Sequence, residues 1–331
     1  MITFVPTFVK RASPHVRVVT HIEYPNAARF YKLSWPVRAL RHFVTWRLGG
    51  TNIDYGYGTL LRDSDRLVVL SDTHRAVLSE VFPGVNRKST LIPPPPLMRM
   101  CAQVDGQPRR EGRALLGAAP NEFVLAYFGY LYPGKGIETL PRALAAIAPR
   151  RPEVRLVMIG GTNEVLLKET NRPHYLQELQ DLAAKAGVAG RIVWTGYYPS
   201  ESEKPSLYLS GADACLLPFD AGVYLNNSSF AAAAAHGLPI ITTKGDVVEP
   251  PFRDGQNVLL CPPKSPDCLA AAIESLVDRP ELRQRLHEGA LQLAHDWFSW
   301  KTTLDRTIET FEGRPSAMIG NEPQPAAGLA Q

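Results

Sequence analysis

The sequence predicts an α/β fold with two Rossmann-like domains, each built on a parallel sheet. Short apolar or β-branched runs alternate with helical patterns, and a proline-rich stretch at 93–108 interrupts this alternation. Strand–helix alternation is typical of parallel sheets that are covered by helices on both faces. With 331 residues, of which 45% are hydrophobic, the chain is long enough to bury two cores.

The alternation is clearest after the proline-rich stretch. The runs that read as strands there are Phe123–Phe128, Val154–Ile159, Arg191–Trp194, Ala214–Leu217, Pro239–Thr243 and Val258–Cys261. Helical spacing of apolar residues covers 137–147, 173–187, 266–278 and 280–294. We therefore expect a second domain over 118–298 with a single parallel sheet, followed by a C-terminal helix over 299–312 and a disordered tail over 313–331.

The first segment is less regular. Val16–His21 and Leu67–Leu70 resemble strands, and residues 36–48 and 72–82 show helical patterns. An opening strand, glycine-rich loop and helix are hard to find. We therefore expect the first domain, 1–98, to be incomplete at its N-terminus, with a linker over 99–117.

Composition excludes several classes of protein. The net charge of +4 comes without blocks of Lys and Arg, so nucleic acid is not an expected partner. The four cysteines form no Cys-x-x-Cys pair, which favours buried, reduced thiols in a cytoplasmic protein. No apolar run approaches the roughly 20 residues of a membrane span, and Met1–Pro14 does not resemble a signal peptide. Contact with a membrane surface stays open.

A first candidate loop runs from Gly129 to Gly136 and leads from a strand into a helix. In an open parallel sheet, ligands bind beyond the carboxyl ends of the strands, where helix starts point free N–H groups at them. The glycines allow an anion to approach the backbone, and Lys135 adds a positive charge. An ordinary turn with a solvated lysine is the alternative.

A second candidate loop follows Leu217 and leads into an alanine-rich helix. Its polar end consists of Asn226, Asn227, Ser228 and Ser229, residue types that are preferred at helix starts. The alanines that follow allow close approach of a ligand or of a neighbouring element. The alternative is a tightly packed helix with a polar cap that needs no ligand.

These loops carry a resemblance to a known family. Residues 123–310 resemble the C-terminal domain of glycosyltransferase family 4, whose members are retaining enzymes of the GT-B fold. The matching segments are Gly129 to Gly136, Leu217-Pro218-Phe219 to Ile241, Glu249 to Asn257, and Phe298-Ser299-Trp300. The resemblance implies a nucleoside diphosphate sugar as the donor, with no other cofactor and no metal, and donor contacts from Gly129, Tyr130, Lys135, Gly222, Val223 and Asn226–Ser229.

The sequence also departs from the family. The family's arginine after the first glycine is Tyr130 here, which leaves Lys135 alone to meet the pyrophosphate. The family's two glutamates fall near Tyr224 and at Ala232, so their contacts with ribose and sugar are missing. Asp220 and Glu249 are the nearest acids that could replace them, and Gly222-Val223-Tyr224 resembles a Gly-Val-Ser variant of the family.

His21 is the candidate on the acceptor side. It ends a strand in Val-Val-Thr-His, as does a family histidine that lies near the donor sugar and its phosphate. Together with Lys135 it is our candidate for a catalytic role. A histidine that simply satisfies a backbone carbonyl is the alternative.

The expected activity is retaining transfer of a sugar to an unknown hydroxyl acceptor, in glycan or glycolipid biosynthesis. In the family's front-face mechanism, the leaving phosphate helps to deprotonate the acceptor, so no protein base is required. The alternatives are a non-catalytic GT-B protein that binds a nucleotide sugar or a partner transferase and, more distantly, a GT-B epimerase.

The stretch 30–48 mixes aromatic residues with Arg38, Arg41 and Arg47. It could lie on an anionic membrane that carries a lipid-linked acceptor, on the inner face of the cytoplasmic membrane. The alternative is a helix that packs its apolar face into the first domain.

Overall fold

The computed structural model describes residues 2–25, 33–49, 56–102 and 106–313. The chain forms two compact units, Met1–Pro94 with Trp300–Gln331, and Pro95–Ser299. Both contain parallel sheets with helices, so the predicted α/β class is confirmed. The predicted disordered tail lies, apart from Gly313, outside the described residues. No helix in the described parts of the chain is both long and apolar enough to cross a membrane.

The first unit contains a three-stranded parallel sheet in the order β1-β2-β3. Its strands are β1, Val19–Ile22, β2, Arg66–Val69, and β3, Ser89–Leu91. The first strand begins three residues later than predicted, and just before it the Val18 N–H donates to the Asp65 carboxylate, 2.7 Å away. The N-terminal helices of this unit are α1, Val5–Ala12, α2, Trp35–Arg47, α3, Leu60–Asp63, α4, Asp72–Val81, and α5, Val85–Lys88.

The second unit contains a six-stranded parallel sheet in the order β6-β5-β4-β7-β8-β9. Its strands are β4, Phe123–Phe128, β5, Val154–Ile159, β6, Ile192–Gly196, β7, Ala214–Leu217, β8, Ile240–Thr243, and β9, Leu259–Cys261. All residues of β4, β7 and β8 except Phe123 and Phe128 are buried, as expected of central strands of a parallel sheet. β4 and β7 therefore lie at the centre of the sheet, with β5 and β6 following on one side and β8 and β9 on the other.

The helices that cover this sheet include several that the sequence did not predict. They are α6, Gln107–Leu115, α7, Thr139–Ile147, α8, Glu164–Glu169, α9, Tyr175–Lys185, α10, Lys204–Gly211, α11, Ser228–Ala235, α12, Pro266–Asp278, and α13, Pro280–Trp297. A last helix, α14, Trp300–Glu312, belongs to the first unit.

The predicted linker 99–117 needs correction, because it contains α6. This helix packs closely on α10: a Cβ on Gly112 would come within 1.9 Å of the Leu207 carbonyl oxygen. Apolar periodicity missed α6 because the contact is made by a glycine in an otherwise basic and polar segment. The stretch from Gln107 to Leu115 is therefore part of the second unit.

Candidate functional site

The strand order locates the candidate site at the carboxyl edge of the β4–β7 pair. Leu125 of β4 pairs with Ala214 of β7, and Ala126 pairs with Cys215. The strands after β4 lie on one side of this pair and the strands after β7 on the other, so the strand order reverses here. Crevices at such reversal points are where open parallel sheets bind ligands. Both loops singled out in the sequence leave this pair at the same edge.

The structure brings the two loops into contact at Gly129 and Ser229. Gly129 has a φ of +135°, and a Cβ on it would lie 2.7 Å from the Ser229 hydroxyl oxygen. On its other side, a Cβ on Gly160 would lie 2.2 Å from the Gly129 carbonyl oxygen. The start of α11 therefore lies close to Gly129 because Gly129 has no side chain, and the end of β5 lies close to it because Gly160 has none.

The start of α11 presents free backbone amides. Asn227 occupies the N-cap position with extended φ and ψ, but its side chain makes no capping hydrogen bond. Its own N–H donates to the Tyr224 carbonyl, 3.1 Å away. In the described part of the chain, the N–H groups of Ser228, Ser229 and Phe230 have no hydrogen-bond partner. Such unpaired N–H groups, at the positive end of the helix dipole, suit an anion.

Lys135 lies against two aromatic rings in the first loop. Its Nζ is 4.9 Å from the centre of the Phe219 ring and 5.2 Å from that of Tyr132. Among the described residues, no carboxylate lies within salt-bridge distance of this ammonium group. Burial lowers the pKa of Lys135 to about 8. An anion placed beside this lysine would favour its charged form.

The two loops also touch beyond Gly129. Gly136, with a φ of +66°, lies so close to the second loop that a Cβ would come within 1.8 Å of the Pro218 carbonyl oxygen. The Asp220 N–H donates to the Gly134 carbonyl, 3.2 Å away. The backbone that carries Lys135 is thus fixed to the segment that follows β7.

Gly222 and Val223 hold the second loop in place. A Cβ on Gly222 would lie 2.1 Å from the Gly245 nitrogen, and the φ of Gly222 is +88°. Val223 is buried, and its N–H donates to the Thr243 carbonyl, 2.8 Å away. The side chain and the N–H of Val223 are therefore committed to the fold.

The remaining predicted residues fall in different surroundings. The Tyr130 side chain is 46% exposed, and its carbonyl accepts a hydrogen bond of 3.1 Å from the Tyr127 hydroxyl. The Asn227 side-chain amide donates to the Asn226 oxygen, 3.2 Å away. His21 lies within β1 of the first unit, with its side chain exposed. The structure thus gathers the predicted residues of the second unit, while His21 belongs to the other unit.

Two acids, Glu249 and Asp220, are the candidate replacements for the missing glutamates. Glu249 is only 1% exposed and accepts a hydrogen bond of 2.5 Å from the Leu225 N–H. This buried hydrogen bond supports the second loop. Asp220 lies near the first loop, and burial raises the pKa of its carboxyl group. At the two expected glutamate positions, Ala232 is fully buried and the Tyr224 hydroxyl donates to the Ala221 carbonyl.

One Asp-x-Asp triplet, a pattern that can bind metal ions, occurs at Asp63-Ser64-Asp65. Asp63 accepts hydrogen bonds from Arg62 and Thr7, and Asp65 from Lys10 and the Val18 N–H. These contacts give both carboxylates a structural role in the first unit. Within the described ranges, no three His, Cys, Asp or Glu side chains are grouped so that they could hold a metal ion.

Sequence reasoning missed the glycines that meet Gly129 and Gly222. Gly160 and Gly161 follow β5 and bring its loop against the first candidate loop, where the Leu131 N–H donates to the Gly161 carbonyl at 2.9 Å. Gly245 follows β8 and makes room for Gly222. The pair Gly160-Gly161 directly after a buried strand was a visible signal for such a close approach.

Comparison with known proteins gives a consistent result. The family described as "Glycosyl transferases group 1" matches residues 108–292. The D-inositol 3-phosphate glycosyltransferase of Segniliparus rotundus is 26% identical over 262 residues, which cover 77% of this chain and 54% of the relative. The corresponding protein of Rhodococcus erythropolis is 26% identical over 260 residues, 77% of this chain and 55% of the relative. The chain thus spans about half the length of the curated relatives it matches.

Solved structures agree on the fold. Anabaena HepE in complex with UDP has a TM-score of 0.71 and 19% identity, and the match covers 94% of this chain and 76% of that one. Sucrose-phosphate synthase from Thermosynechococcus elongatus has a TM-score of 0.68 and 19% identity, over 93% of this chain and 70% of that one. These likenesses confirm the predicted GT-B fold class. Because the family match extends over more than half of the sequence, the chain belongs to the glycosyl transferases group 1 family.

Proposed function

We propose that this chain binds a nucleoside diphosphate sugar and acts as a retaining glycosyltransferase, moving the sugar to a hydroxyl acceptor in glycan or glycolipid biosynthesis. The contact between Gly129 and Ser229 carries the proposal, because it joins a lysine-bearing loop to a helix start with unpaired amides. The relatives are named glycosyltransferases, and HepE was solved with UDP. Both support a nucleotide-sugar donor.

In the proposed complex, the donor pyrophosphate lies between Lys135 and the amides of Ser228 and Ser229. Lys135 has no carboxylate partner among the described residues, so its charge is available to an anion. The amides add charge-assisted hydrogen bonds and the favourable end of the helix dipole. They offset the loss of the arginine that Tyr130 replaces.

We further assign the chain to a branch of glycosyltransferase family 4 that lacks the glutamate pair. The expected positions hold Tyr224 and Ala232, and Glu249 is committed to the Leu225 N–H. The carboxamides of Asn226 and Asn227, which flank the start of α11, then take over polar contacts with the ribose or the sugar. His21 on β1 is proposed to donate a hydrogen bond to the donor sugar or its phosphate during transfer.

A donor panel with purified protein tests the activity. We expect one member of a set of UDP-, GDP- and ADP-sugars to bind, and to be hydrolysed slowly or transferred when a hydroxyl acceptor is added. Binding without any turnover would instead support a non-catalytic binding protein. Conversion of the nucleotide sugar to its epimer without an acceptor would support an epimerase. Failure of every donor to bind would overturn the proposal.

We also propose that α2 of the first unit touches a membrane that carries the acceptor. Of the described side chains in this helix, only Thr45 is buried, while Trp35 is 73%, Leu40 63% and Trp46 59% exposed. This exposure favours membrane contact over the alternative in which the helix packs its apolar face inward. The helix contains no acidic residue, so its charges are all positive. Exposed aromatic and apolar side chains beside cationic groups are typical of helices that lie in a membrane interface.

The membrane test must spare Arg41. This arginine donates to Thr3 and to the Gly56 carbonyl, 2.6 and 2.5 Å away, and lies over the Phe4 ring, so it supports the fold. We expect wild-type protein to float with vesicles of phosphatidylcholine and phosphatidylglycerol, and the Trp35→Ser, Trp46→Ser double variant to remain in solution. Equal flotation of the two proteins would contradict the membrane contact. Trp300→Ser, an exposed tryptophan of α14, serves as the control.

A further inference from the structure

A cavity lies at the edge of the large sheet opposite to the candidate donor loops. It has a volume of about 480 Å³ and is lined by residues that precede β7 and β8, including Asp213 and Pro239, and by the first turns of α13. The candidate donor loops follow β4 and β7, at the carboxyl edge. The cavity is therefore separate from the candidate donor site, and its volume is within the range of ligand pockets.

The cavity is lined by two arginines whose hydrogen bonds leave donors unused. Arg109 donates through Nη1 to the Ala212 carbonyl and through Nη2 to Asp213, which leaves its Nε–H. Arg283 donates through Nη1 alone, to the carbonyls of Leu276 and Val277, which leaves Nε–H and Nη2. All these partners are within the described part of the chain.

The acid and the histidines around the cavity do not cancel this positive charge. Asp213 pairs with both Arg109 and Arg113 and accepts the Val124 N–H. His236 uses Nδ1 on the Ala232 carbonyl and Nε2 on Ser206, and burial lowers its pKa, which favours its neutral form. His287 also lines the cavity and uses Nδ1 on the Gly237 carbonyl.

The unused groups define the chemistry of a ligand. Two guanidinium groups with free N–H donors, fixed through their other nitrogens, suit the oxygens of a phosphate or a carboxylate. The first turn of α13, an 18-residue helix, adds the positive end of its dipole. We propose that this cavity binds a small anionic metabolite, a phosphate ester or a polycarboxylate, through Arg109 and Arg283.

The site also has a structural connection to the candidate donor site. His236 and Gly237, which line the cavity, directly follow α11. The other end of the same helix bears the unpaired amides of Ser228 and Ser229. An anion in the cavity would thus contact one end of the helix whose other end belongs to the donor site, although the proposed anion site does not depend on the donor being correctly identified.

Gln284 offers a test that spares the structural hydrogen bonds. Its side chain lines the cavity, and its Nε2 bonds only to the exposed Glu288. Gln284→Glu adds a negative charge at the cavity, while Gln284→Ala removes the same side chain without adding charge. Arg283 is less suitable, because its loss would free the last carbonyls of α12.

The experiment measures binding of inorganic phosphate, glucose 6-phosphate and citrate by calorimetry and thermal shift, at constant ionic strength set with chloride. It uses Lys135→Ala protein, in which binding to the candidate donor site is weakened. We expect at least one anion to bind and to raise the midpoint of unfolding, with affinity at least tenfold weaker in Gln284→Glu and little changed in Gln284→Ala. The preferred anion then distinguishes a phosphate from a carboxylate ligand. Absence of binding by all three anions, or equal binding by both Gln284 variants, would overturn the proposal whatever the donor panel shows.

Discussion

Gly129 lies directly against Ser229, so that a Cβ on the glycine would come within 2.7 Å of the serine hydroxyl oxygen. The two residues are a hundred positions apart, yet they join the loop after β4 to the first turn of α11. This contact sets the distance between the cation of the first loop and the amides of the second.

Gly129→Ala is therefore expected to disturb both loops. The alanine Cβ would press on Ser229 and would impose a side chain on a backbone with a φ of +135°. We expect a loss of roughly 1–3 kcal/mol in unfolding free energy and a clear loss of nucleotide-sugar affinity, measured by denaturant titration and calorimetry.

Gly190→Ala is the matched control for Gly129→Ala. A Cβ on Gly190 meets no atom within 4 Å, and this glycine does not have a positive φ. The control should keep wild-type stability and affinity. If both variants behave alike, the contact between Gly129 and Ser229 has no special role.

Glu249→Ala should loosen the second loop. The carboxylate is buried and accepts the Leu225 N–H, so its removal leaves a buried amide without this partner. The expected cost is about 1–3 kcal/mol of unfolding free energy, together with weaker donor binding. Glu249→Gln keeps an acceptor oxygen and should retain more of both. An equal loss in the two variants would show that the negative charge, and not this hydrogen bond, is what matters.

The strongly periodic part of the sequence predicted the second sheet well. Phe123–Phe128, Val154–Ile159 and Ala214–Leu217 have the predicted bounds, because buried parallel strands are short, continuous apolar runs. The alternation did not reveal β3 or α6. Ser89–Leu91 is too short to show a period, and α6 is held by the close contact of a glycine.

Part of the candidate site was also visible in the sequence. Lys135 and the run Asn226–Ser229 stood out as a cation and a polar helix start, and their juxtaposition follows from the adjacency of β4 and β7. The structural role of Glu249 and the burial of Val223 were not visible, because a single sequence does not reveal which side of a loop faces the core. The outward direction of the apolar side chains of α2 was hidden for the same reason.

Donor binding should weaken as the pH rises through about 8. Burial lowers the pKa of Lys135 to about 8, so the free protein loses this positive charge above that pH, whereas a bound pyrophosphate would hold the proton. Affinity should be constant below the pKa of Lys135 in the ligand-free protein, and should fall by up to tenfold per pH unit above it. Calorimetry from pH 6.5 to 9.5 measures this profile. In Lys135→Ala the downward step near pH 8 should be absent.

Lys135→Met is expected to stabilise the protein without ligand. A lysine whose folded pKa is depressed costs stability at all pH values below that pKa, and the cost disappears as the pH rises toward the ordinary value of the unfolded chain. At pH 7 the methionine should raise the unfolding free energy by about 1 kcal/mol, or the midpoint by about 2–4 °C, while donor affinity falls. A midpoint below that of wild type would mean that the ammonium group stabilises the fold.

Ser228→Pro gives the sharpest test of the amides in donor binding. Ser228 is the first residue of α11, a position that tolerates proline because its N–H has no helical partner. The preceding residue, Asn227, has φ −85° and ψ 95°, an extended conformation that is compatible with a following proline. The helix should therefore remain, and circular dichroism and the unfolding midpoint should be close to those of wild type.

The Ser228→Pro variant lacks one N–H donor at the candidate pyrophosphate position, together with the serine hydroxyl. Ser228→Ala removes only the hydroxyl, so the difference between the two variants reports the amide. We expect Ser228→Pro to bind the nucleotide sugar about 1.5–3 kcal/mol more weakly than Ser228→Ala, the usual contribution of a hydrogen bond to a charged group. Equal affinities in two folded variants would remove this amide from the donor site and leave Lys135 as its main anion contact.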